Sequence, residues 1–364
     1  MQNLYNGIYK NRRILVTGHT GFKGSWLCLL LKELGAEVFG YALDPPTDPN
    51  LFQKAGVADI ITSYKGDIRD YNTLLRVMRT VNPEMVIHMA AQPLVRESYK
   101  NPLETYSTNV LGTVNLLEAV RHTPGIGSVV NVTSDKCYEN QEWSWGYRES
   151  DIIGGYDTYS SSKGCSELVT SAFRNSYFNP SSYSEHKVGI ATARAGNVIG
   201  GGDWAADRLI PDFVRAILKN EKVIVRNPEA IRPWQFVLEA LNGYLTLAEK
   251  LFVEGDVYSG AWNFGPDDRD ARSVGWIINR LCKSWGNDAD YELNETPQPH
   301  EANYLKLDCS KAKALLSWYP RWNIEQAIDS IIYFTKAWKN GDEIRKVCFD
   351  QIHAFSNFNK SVDI

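Results

Sequence analysis

Residues 13–24, RILVTGHTGFKG, carry the strongest structural signal in the chain. A short apolar run leads directly into Gly18, Gly21 and Gly24, and a helical pattern follows them. Glycines at such a junction let the backbone turn tightly and approach a pyrophosphate, whose charge then lies at the helix N-terminus. The spacing is G-x-x-G-x-x-G, and its place between the first strand and the first helix predicts a dinucleotide-binding loop. The alternative is a tight turn with a purely structural role.

Strand and helix patterns alternate on the C-terminal side of this loop. We predict strands within 13–18, 37–43, 59–68, 85–91, 128–134 and 187–200, and helices over 24–35, 70–82, 103–123 and 159–178. Such alternation implies right-handed crossovers and a parallel sheet covered on both faces. The predicted fold class is therefore α/β, a Rossmann-type doubly wound parallel sheet.

The alternation of strand and helix patterns gives way to short segments after about residue 200. We predict a dinucleotide-binding Rossmann domain with the catalytic residues over 1–200. A smaller, mixed α/β C-terminal lobe that binds the substrate is predicted over 201–364. Individual segments can cross this boundary, since no linker marks it.

Composition narrows the class of protein. The 364 residues are 43% hydrophobic with a net charge of −4, which supports one large or two modest domains without a basic field for nucleic acid. The most lipid-like run, SWLCLLL, is too short to span a bilayer. Six scattered cysteines form no C-x-x-C pair, so neither a metal site nor a disulfide framework is expected. With no secretion signal at the N-terminus, these features predict a cytoplasmic protein without membrane or nucleic-acid partners.

Two acidic residues follow the second and third strands. Asp44 ends the second strand, where a carboxylate accepts a hydrogen bond from a ribose 2′-hydroxyl and repels a 2′-phosphate. No Arg or Lys occurs in 41–50, YALDPPTDPN, so the sequence predicts NAD rather than NADP. Capping of the turn before Pro45 is an equal alternative for Asp44. Asp67, after the third strand, is expected at the adenine.

A tyrosine and a lysine stand four residues apart in YSSSK, at Tyr159 and Lys163, and so share one helix face. An ammonium near a phenol favours the phenolate and lowers the pKa of the tyrosine. The pair therefore predicts a base that takes a hydroxyl proton while hydride leaves the same carbon. Ser134, at the end of the fifth strand, can bond the same hydroxyl. The alternative is an exposed tyrosine beside a salt-bridging lysine.

The fifth strand ends in an acid and a base, Asp135 and Lys136, directly after Ser134. Burying either charge is costly, so their place at the end of an apolar strand predicts a chemical role. The alternative is a structural ion pair.

These segments together resemble the extended short-chain dehydrogenase/reductase family over nearly the whole chain. The likeness rests on the glycine spacing, HMAAQ (88–92), the strand-end serine and Y-x-x-x-K. It implies an NAD-dependent enzyme acting on nucleotide sugars, with the C-terminal lobe binding the sugar nucleotide. The implied cofactor contacts are Gly18, Gly21, Phe22, Lys23, Gly24, Asp44, Asp67, Ile68, Ala90, Ala91, Gln92, Asn109, Tyr159 and Lys163.

Within the family, an acid/base pair after the serine is typical of the sugar-nucleotide 4,6-dehydratases, which are lyases. They oxidise C4, eliminate water across C5 and C6, and return the hydride to C6. The pair is Asp-Lys here rather than the commoner Asp-Glu, and TGHTGFKGSWL and TSDKCYEN strengthen the resemblance to members that act on CDP-glucose. The resemblance implies that Asp135 protonates the departing C6 hydroxyl and that neutral Lys136 removes the C5 proton. The product would serve deoxysugar synthesis for a surface polysaccharide such as lipopolysaccharide O-antigen.

The resemblance also implies substrate contacts at Ser134, Asn197, Arg208, Arg232 and Asn263. A surface salt bridge is an equal alternative for either arginine. The aromatic loop within 139–157 is either a lid over the sugar or plain packing. The helices at 103–123 and 159–178 imply a homodimer or a homotetramer built from a four-helix interface.

Other functions stay open from the sequence alone. These are a dTDP- or UDP-linked 4,6-dehydratase, a 4-epimerase, and a non-catalytic NAD-binding scaffold. The Asp135–Lys136 pair argues against the epimerase. Tyr159 argues against those UDP-N-acetylglucosamine dehydratases that replace this tyrosine by methionine, and the intact set of polar residues argues against the scaffold.

Overall fold

The computed structural model describes residues 4–286, 289–294 and 304–358. Its strands are β1 Arg13–Thr17, β2 Glu37–Ala42, β3 Thr62–Lys65, β4 Met85–His88, β5 Ser128–Val132, β6 Gly189–Ala195, β7 Val198–Ile199, β8 Val223–Val225, β9 Ile231–Pro233, β10 Gln235–Phe236, β11 Gly260–Phe264, β12 Ala271–Ser273 and β13 Tyr291–Leu293. Seven of them form one parallel sheet in the order β11-β6-β5-β4-β1-β2-β3. The predicted doubly wound α/β fold is confirmed.

The α-helices lie between and beyond these strands. They are α1 Phe22–Glu33, α2 Leu51–Lys54, α3 Tyr71–Val81, α4 Val95–Lys100, α5 Pro102–Tyr106, α6 Gly112–Arg121, α7 Thr158–Tyr177, α8 Tyr183–His186, α9 Leu209–Leu218, α10 Val237–Val253, α11 Gly255–Tyr258, α12 Val274–Trp285, α13 Ser310–Leu316, α14 Ile324–Asn340 and α15 Ile344–Ser356. Among the described residues, no helix combines the length and apolar character needed to cross a bilayer.

Register explains why both faces of the sheet are buried. Leu15, Val86, Val129 and Ile190 are paired across β1, β4, β5 and β6 and belong to one apolar cluster, which includes residues of α3 and α6. The next residue along each strand belongs to a second cluster on the opposite face, with α1 and α10. Apolar side chains on both faces are typical of a parallel sheet covered by helices on each side.

The predicted helix over 103–123 is interrupted. Regular α-helix stops at Tyr106, a π-helical turn covers Ser107–Leu111, and α6 resumes at Gly112. Such turns are frequent at functional sites because they rotate one side chain out of the helical repeat. The residue placed in this way is Asn109, which is buried.

The C-terminal part of the chain returns to the main sheet. β11 pairs with β6 as the seventh strand, and α10 packs against β5 and β6. The remaining C-terminal strands form two-stranded pairs, β7 with β10, β8 with β13 and β9 with β12. We therefore propose that the division at residue 200 separates two lobes in sequence, while 237–264 crosses back to the first.

Candidate active site

A cleft of about 310 Å³ opens at the carboxyl ends of the strands, where ligands bind in open parallel sheets. It brings together eleven of the side chains and backbone segments predicted from sequence: Phe22, Lys23, Ala91, Ser134, Asp135, Lys136, Tyr159, Lys163, Asn197, Arg208 and Arg232. They come from α1, the end of β4, the end of β5, α7, the turn after β6 and the C-terminal lobe. The cleft therefore lies between the two parts of the chain.

The glycine loop forms the floor at the end of β1. Gly18 has a φ of +74°, and a Cβ there would lie 2.7 Å from the backbone nitrogen of Ala90. A Cβ on Gly24 would lie 2.2 Å from the carbonyl oxygen of Gly18, so only glycine lets the helix start this close to the turn. Gly21 precedes the first residue of α1. The open backbone and the helix N-terminus fit the pyrophosphate of a dinucleotide.

The outer end of this cofactor surface carries two acids with basic partners. Asp44 is 71% exposed, and its Oδ2 lies 2.5 Å from Nζ of Lys65 at the end of β3. Local reading of residues 41–50 missed this lysine because it comes from the neighbouring strand. Exposed pairs contribute little to stability, so a ribose hydroxyl can replace the lysine at Asp44. Arg69 pairs with Asp67 and lowers the pKa of that carboxyl. The side chain of Ile68 packs against Gly112.

Asn109 joins the loop after β4 to the catalytic helix. Its Oδ1 accepts a hydrogen bond from the backbone of Gln92 at 2.8 Å, and its Nδ2 donates to Oγ of Ser162 at 2.8 Å. The backbone of Ala90 donates to Oγ1 of Thr17, which ties the same loop to β1. Asn109 therefore acts as a positioning residue for the cofactor loop and α7 at once.

Tyr159 and Lys163 face the cleft from α7, but their electrostatics differ from the expectation. Burial raises the pKa of Tyr159 to about 12, opposed by a hydrogen bond with Ser134 and by the charge of Arg208. Burial lowers the pKa of Lys163 to about 8, and its Nζ donates to the carbonyl oxygen of Val132 at 3.3 Å. Desolvation thus outweighs the effect of a neighbouring ammonium in the protein alone.

The triplet after β5 forms a compact turn. Ser134 remains extended, and its Oγ donates to Oδ1 of Asp135 at 3.0 Å while accepting from the backbone of Lys136 at 3.2 Å. Asp135 is only 3% exposed, and its Oδ2 has no hydrogen-bond partner within the described ranges. Burial raises the pKa of Asp135, although the charges of Lys136 and Arg232 act in the opposite direction.

Lys23 brings a further charge into the cleft from the first turn of α1. Burial lowers its pKa to about 7, and the positive charges of Lys163 and Arg208 lower it further. Asp135 and Asp203 act against this shift. Sequence reasoning missed Asp203, whose Oδ2 lies 3.0 Å from Nη1 of Arg208; its only signal was its place in GGGDW.

The structure places only some of the predicted substrate residues at the cleft. Asn197, Arg208 and Arg232 line the cleft. Asn263 does not, because its buried side chain bonds Tyr138 Oη and the carbonyl oxygens of Tyr147 and Asp308. The amide therefore joins three segments of the chain, and a contact of Asn263 with the substrate stays a prediction.

Arg226 is a cleft residue that sequence reasoning missed. It bonds Asp207 and Asp212 at the mouth, and its signal was an arginine directly after the apolar strand β8.

The aromatic loop after β5 packs on itself. Trp145, Trp143, Tyr147 and Tyr138 form a stack with successive ring centroids 5.0 Å apart. Tyr304 donates to the carbonyl oxygen of Ser144 and fastens the loop to a later segment. These contacts favour the packing alternative over a lid.

The parallel sheet, the glycine loop and the buried Ser–Tyr–Lys set define an NAD-dependent enzyme of the extended short-chain dehydrogenase/reductase class. The family described as GDP-mannose 4,6 dehydratase matches residues 15–331, and the chain belongs to that family. A CDP-glucose 4,6-dehydratase of Salmonella typhimurium is 56% identical over 92% of this chain and 94% of its own length.

More distant relatives share the fold. A dTDP-glucose 4,6-dehydratase of Xanthomonas campestris is 27% identical over 90% of this chain and 95% of its own length. A UDP-glucose 4-epimerase structure from Thermotoga maritima superposes with a TM-score of 0.76 at 22% identity, over 89% of this chain and 99% of that one. A dTDP-glucose 4,6-dehydratase structure from Bacillus anthracis in complex with NAD gives 0.74 at 20% identity, over 91% and 99%.

Replacing Lys23 by methionine should change how stability depends on pH. The pKa of Lys23 falls from 10.5 to about 7 on folding, so the unfolded state binds this proton more tightly. The charged lysine therefore destabilises the wild type below about pH 7, and stability recovers as pH rises from about 7 to 10.5. We expect the unfolding free energy of the wild type, minus that of Lys23→Met, to rise across this window in urea titrations of cofactor-free protein. Lys32→Met, on the same helix, is the control, and a flat difference for Lys23→Met would contradict the burial of its charge.

Proposed function

We propose that this protein converts CDP-D-glucose into CDP-4-keto-6-deoxy-D-glucose and water. The observation that carries the proposal is the buried Ser134–Asp135–Lys136 turn beside Tyr159 in one cleft. A 4-epimerase needs no second acid and base there, whereas elimination across C5 and C6 needs both. The 56% identity to the Salmonella typhimurium enzyme supports CDP-glucose as the substrate.

The residues of the cleft fit a bound NAD, which supplies the hydride acceptor at C4 and the hydride donor at C6. The glycine loop holds its pyrophosphate, Asp44 accepts from its ribose, and Asn109 fixes the loop beside it. Lys163 contributes a buried positive charge near Tyr159. These contacts are part of the proposal.

Tyr159 takes the proton of the C4 hydroxyl at its phenol oxygen. Burial alone opposes this, because it raises the pKa of Tyr159 to about 12. The hydrogen bond with Ser134 and the charge of Arg208 lower the pKa of Tyr159 and so favour the phenolate. Ser134 also orients the C4 hydroxyl, since its Oγ faces the same cleft.

Asp135 and Lys136 divide the elimination between them. Burial raises the pKa of Asp135 and so favours the protonated acid that the C6 hydroxyl needs in order to leave as water. Lys136 is half-buried, lines the same cleft, and is the base for the C5 proton in this proposal. The C4 ketone makes that proton acidic because the carbanion is conjugated with it.

Arg208 and Arg232 are suited to the substrate diphosphate, because guanidinium groups bind phosphate oxygens in pairs. Arg232 is buried and close enough to lower the pKa of Asp135. A diphosphate bound there neutralises this effect and favours protonated Asp135 further. The six cysteines are free thiols, which supports a reducing cytoplasmic compartment as part of the proposal.

The substrate is tested by incubating the purified protein and NAD separately with CDP-glucose, dTDP-glucose, UDP-glucose and GDP-mannose. We expect CDP-glucose to lose one water at a rate at least about tenfold above that of the other three sugar nucleotides. This ratio corresponds to about 1.4 kcal/mol in activation free energy. Equal rates with another sugar nucleotide would overturn the base preference. An isomer without mass loss would overturn the dehydratase.

The roles of the acid and the base are separable. We expect Asp135→Asn and Lys136→Ala each to slow dehydration by about 100-fold or more, the usual range for a lost proton-transfer group. In deuterated water Asp135→Asn should still exchange the C5 proton, whereas Lys136→Ala should not. Glu139→Gln, an exposed acid three residues further on, is the control. Near-normal dehydration by Lys136→Ala would rule out this base.

We also infer a homodimer, with a tetramer as a dimer of dimers. Leu103 is 86% exposed and Leu168 is 60% exposed, on α5 and α7, which pack side by side. Large apolar side chains gathered on neighbouring helices are typical of an association surface. We expect the Leu103→Glu, Leu168→Glu variant to be monomeric by light scattering, while Leu315→Glu on α13 remains like the wild type. A monomeric wild type would contradict the dimer.

A further inference from the structure

A second cavity, of about 610 Å³, lies apart from the catalytic cleft and shares none of its lining residues. It is bounded by the loop 148–153, one side of α7, β6, the start of β11 and the segment 308–311. Leu168 of α7 belongs both to this lining and to the proposed dimer surface, so the cavity adjoins that surface. Its volume is in the range of sites that hold small metabolites. Many charged side chains line it, and the ratio of basic to acidic groups among them indicates the kind of ligand that the cavity binds.

Four basic side chains line this cavity: Arg148, Arg174, Arg194 and Lys311. Two of them have carboxylate partners. Nη2 of Arg194 lies 2.8 Å from Oε2 of Glu167 in a pair that is almost fully buried. Nε of Arg148 lies 3.0 Å from Oδ2 of Asp308 at the rim.

Arg174 and Lys311 have no carboxylate within ion-pair distance in the described part of the chain. Arg174 donates to Oγ of Ser171 at 3.2 Å, and Lys311 donates to the carbonyl oxygen of Ala261 at 2.7 Å. The Nζ of Lys311 also lies 4.0 Å from the centre of the Trp262 ring. Both cations are thus held in place by neutral groups.

These cations also repel one another. Burial lowers the pKa of Lys311; the charge of Glu149 raises it, and the charges of Arg194 and Arg174 lower it. Burial also lowers the pKa of Arg174; the charge of Glu167 raises it, and the charge of Arg194 lowers it. Positive charges crowded in a partly dehydrated cavity bind an anion favourably, because the anion removes this repulsion.

The remaining acid does not balance them. Glu149 is bonded through Oε1 to the backbone of Asn263 at 2.9 Å, and burial raises its pKa. Glu149 therefore offers less negative charge than an exposed glutamate. Lys311 and Arg174 therefore stay without an ion-pair partner among the residues that the structure describes.

We propose that this cavity is a second binding site, for a small metabolite that carries a phosphate or diphosphate group. A guanidinium and an ammonium on opposite elements, α7 and α13, suit the oxygens of such a group. The hydroxyls of Ser171 and Ser310 line the same space, and Ile153 and Ala261 provide an apolar wall for the rest of the ligand.

The site touches the catalytic helix. Glu167 lies one turn after Lys163, bonds Oγ1 of Thr133 and Oγ1 of Thr192, and raises the pKa of Lys163 by its charge. Arg194 connects this carboxylate to the cavity. An anion that binds Arg194 therefore competes with Glu167 for this arginine. Glu167 in turn lies close to Ser134 and Lys163, so the anion acts on the catalytic residues through Glu167.

The test uses pyrophosphate as the probe, titrated calorimetrically into full-length protein saturated with NAD and CDP at low ionic strength, where screening is weak. We expect one pyrophosphate per chain. The Arg174→Gln, Lys311→Met variant should bind it at least about tenfold more weakly, a loss of roughly 1.4 kcal/mol. Lys313→Met is the matched control, since this lysine lies on the same helix but pairs with Asp267 outside the cavity, and its affinity should equal that of the wild type.

The variants show whether pyrophosphate binds in the second cavity even if CDP does not fill the catalytic cleft. A wrong substrate assignment would therefore not be mistaken for a missing second site. No binding by the wild type, or equal binding by the double variant, would overturn the proposal. Succinate should bind at least about tenfold more weakly than pyrophosphate; equal affinity would overturn the phosphate class. Should the double variant fail to fold, Lys311→Met alone provides the same comparison.

Discussion

Removal of charged groups from water at the carboxyl edge of the sheet is the constraint on which the chemistry depends. Burial shifts Lys23 and Lys163 towards neutral amines, and Asp135 and Tyr159 towards neutral acids. Burial in the protein alone thus acts against the charged form of each group. Charged ligands shift these pKa values in different directions. A bound cation stabilises the phenolate of Tyr159, whereas a bound diphosphate stabilises the ammonium groups. The active protonation states therefore belong to the loaded enzyme.

Features encoded within a few consecutive residues were predictable from the sequence. The glycine loop, the strand-end triplet and the Tyr–Lys helix each combine a local pattern with a place in the strand–helix alternation, and the structure brings them to one cleft. Features that depend on distant residues were not predictable. Lys65 reaches Asp44 from the next strand, and Asn263 is withdrawn from the cleft by Tyr138 and Asp308. The π-helical turn at Asn109 breaks a repeat that looks regular in sequence.

The buried Arg194–Glu167 pair links the two cavities. A buried ion pair adds little net stability, because both charges lose their hydration. Removal of one partner nevertheless destabilises the protein, because it leaves the other charge buried without compensation. Here the carboxylate also accepts from Thr133 and Thr192, which join β5 and β6 directly below the catalytic turn. The pair therefore fixes the position of Ser134 and Asp135 relative to α7. This gives it a positioning role that does not depend on its energetic value.

The return of β11 and α10 to the main sheet has a consequence for biosynthesis. When β6 leaves the ribosome, its outer edge and the apolar face that α10 later covers are both unprotected. Translation must continue to Phe264 before both are shielded, which takes on the order of several seconds. Nascent chains thus pass through a stage with an open strand edge, a structure that pairs readily with other chains. Fragments ended near residue 200 would remain at that stage, because they lack the last strand of the main sheet.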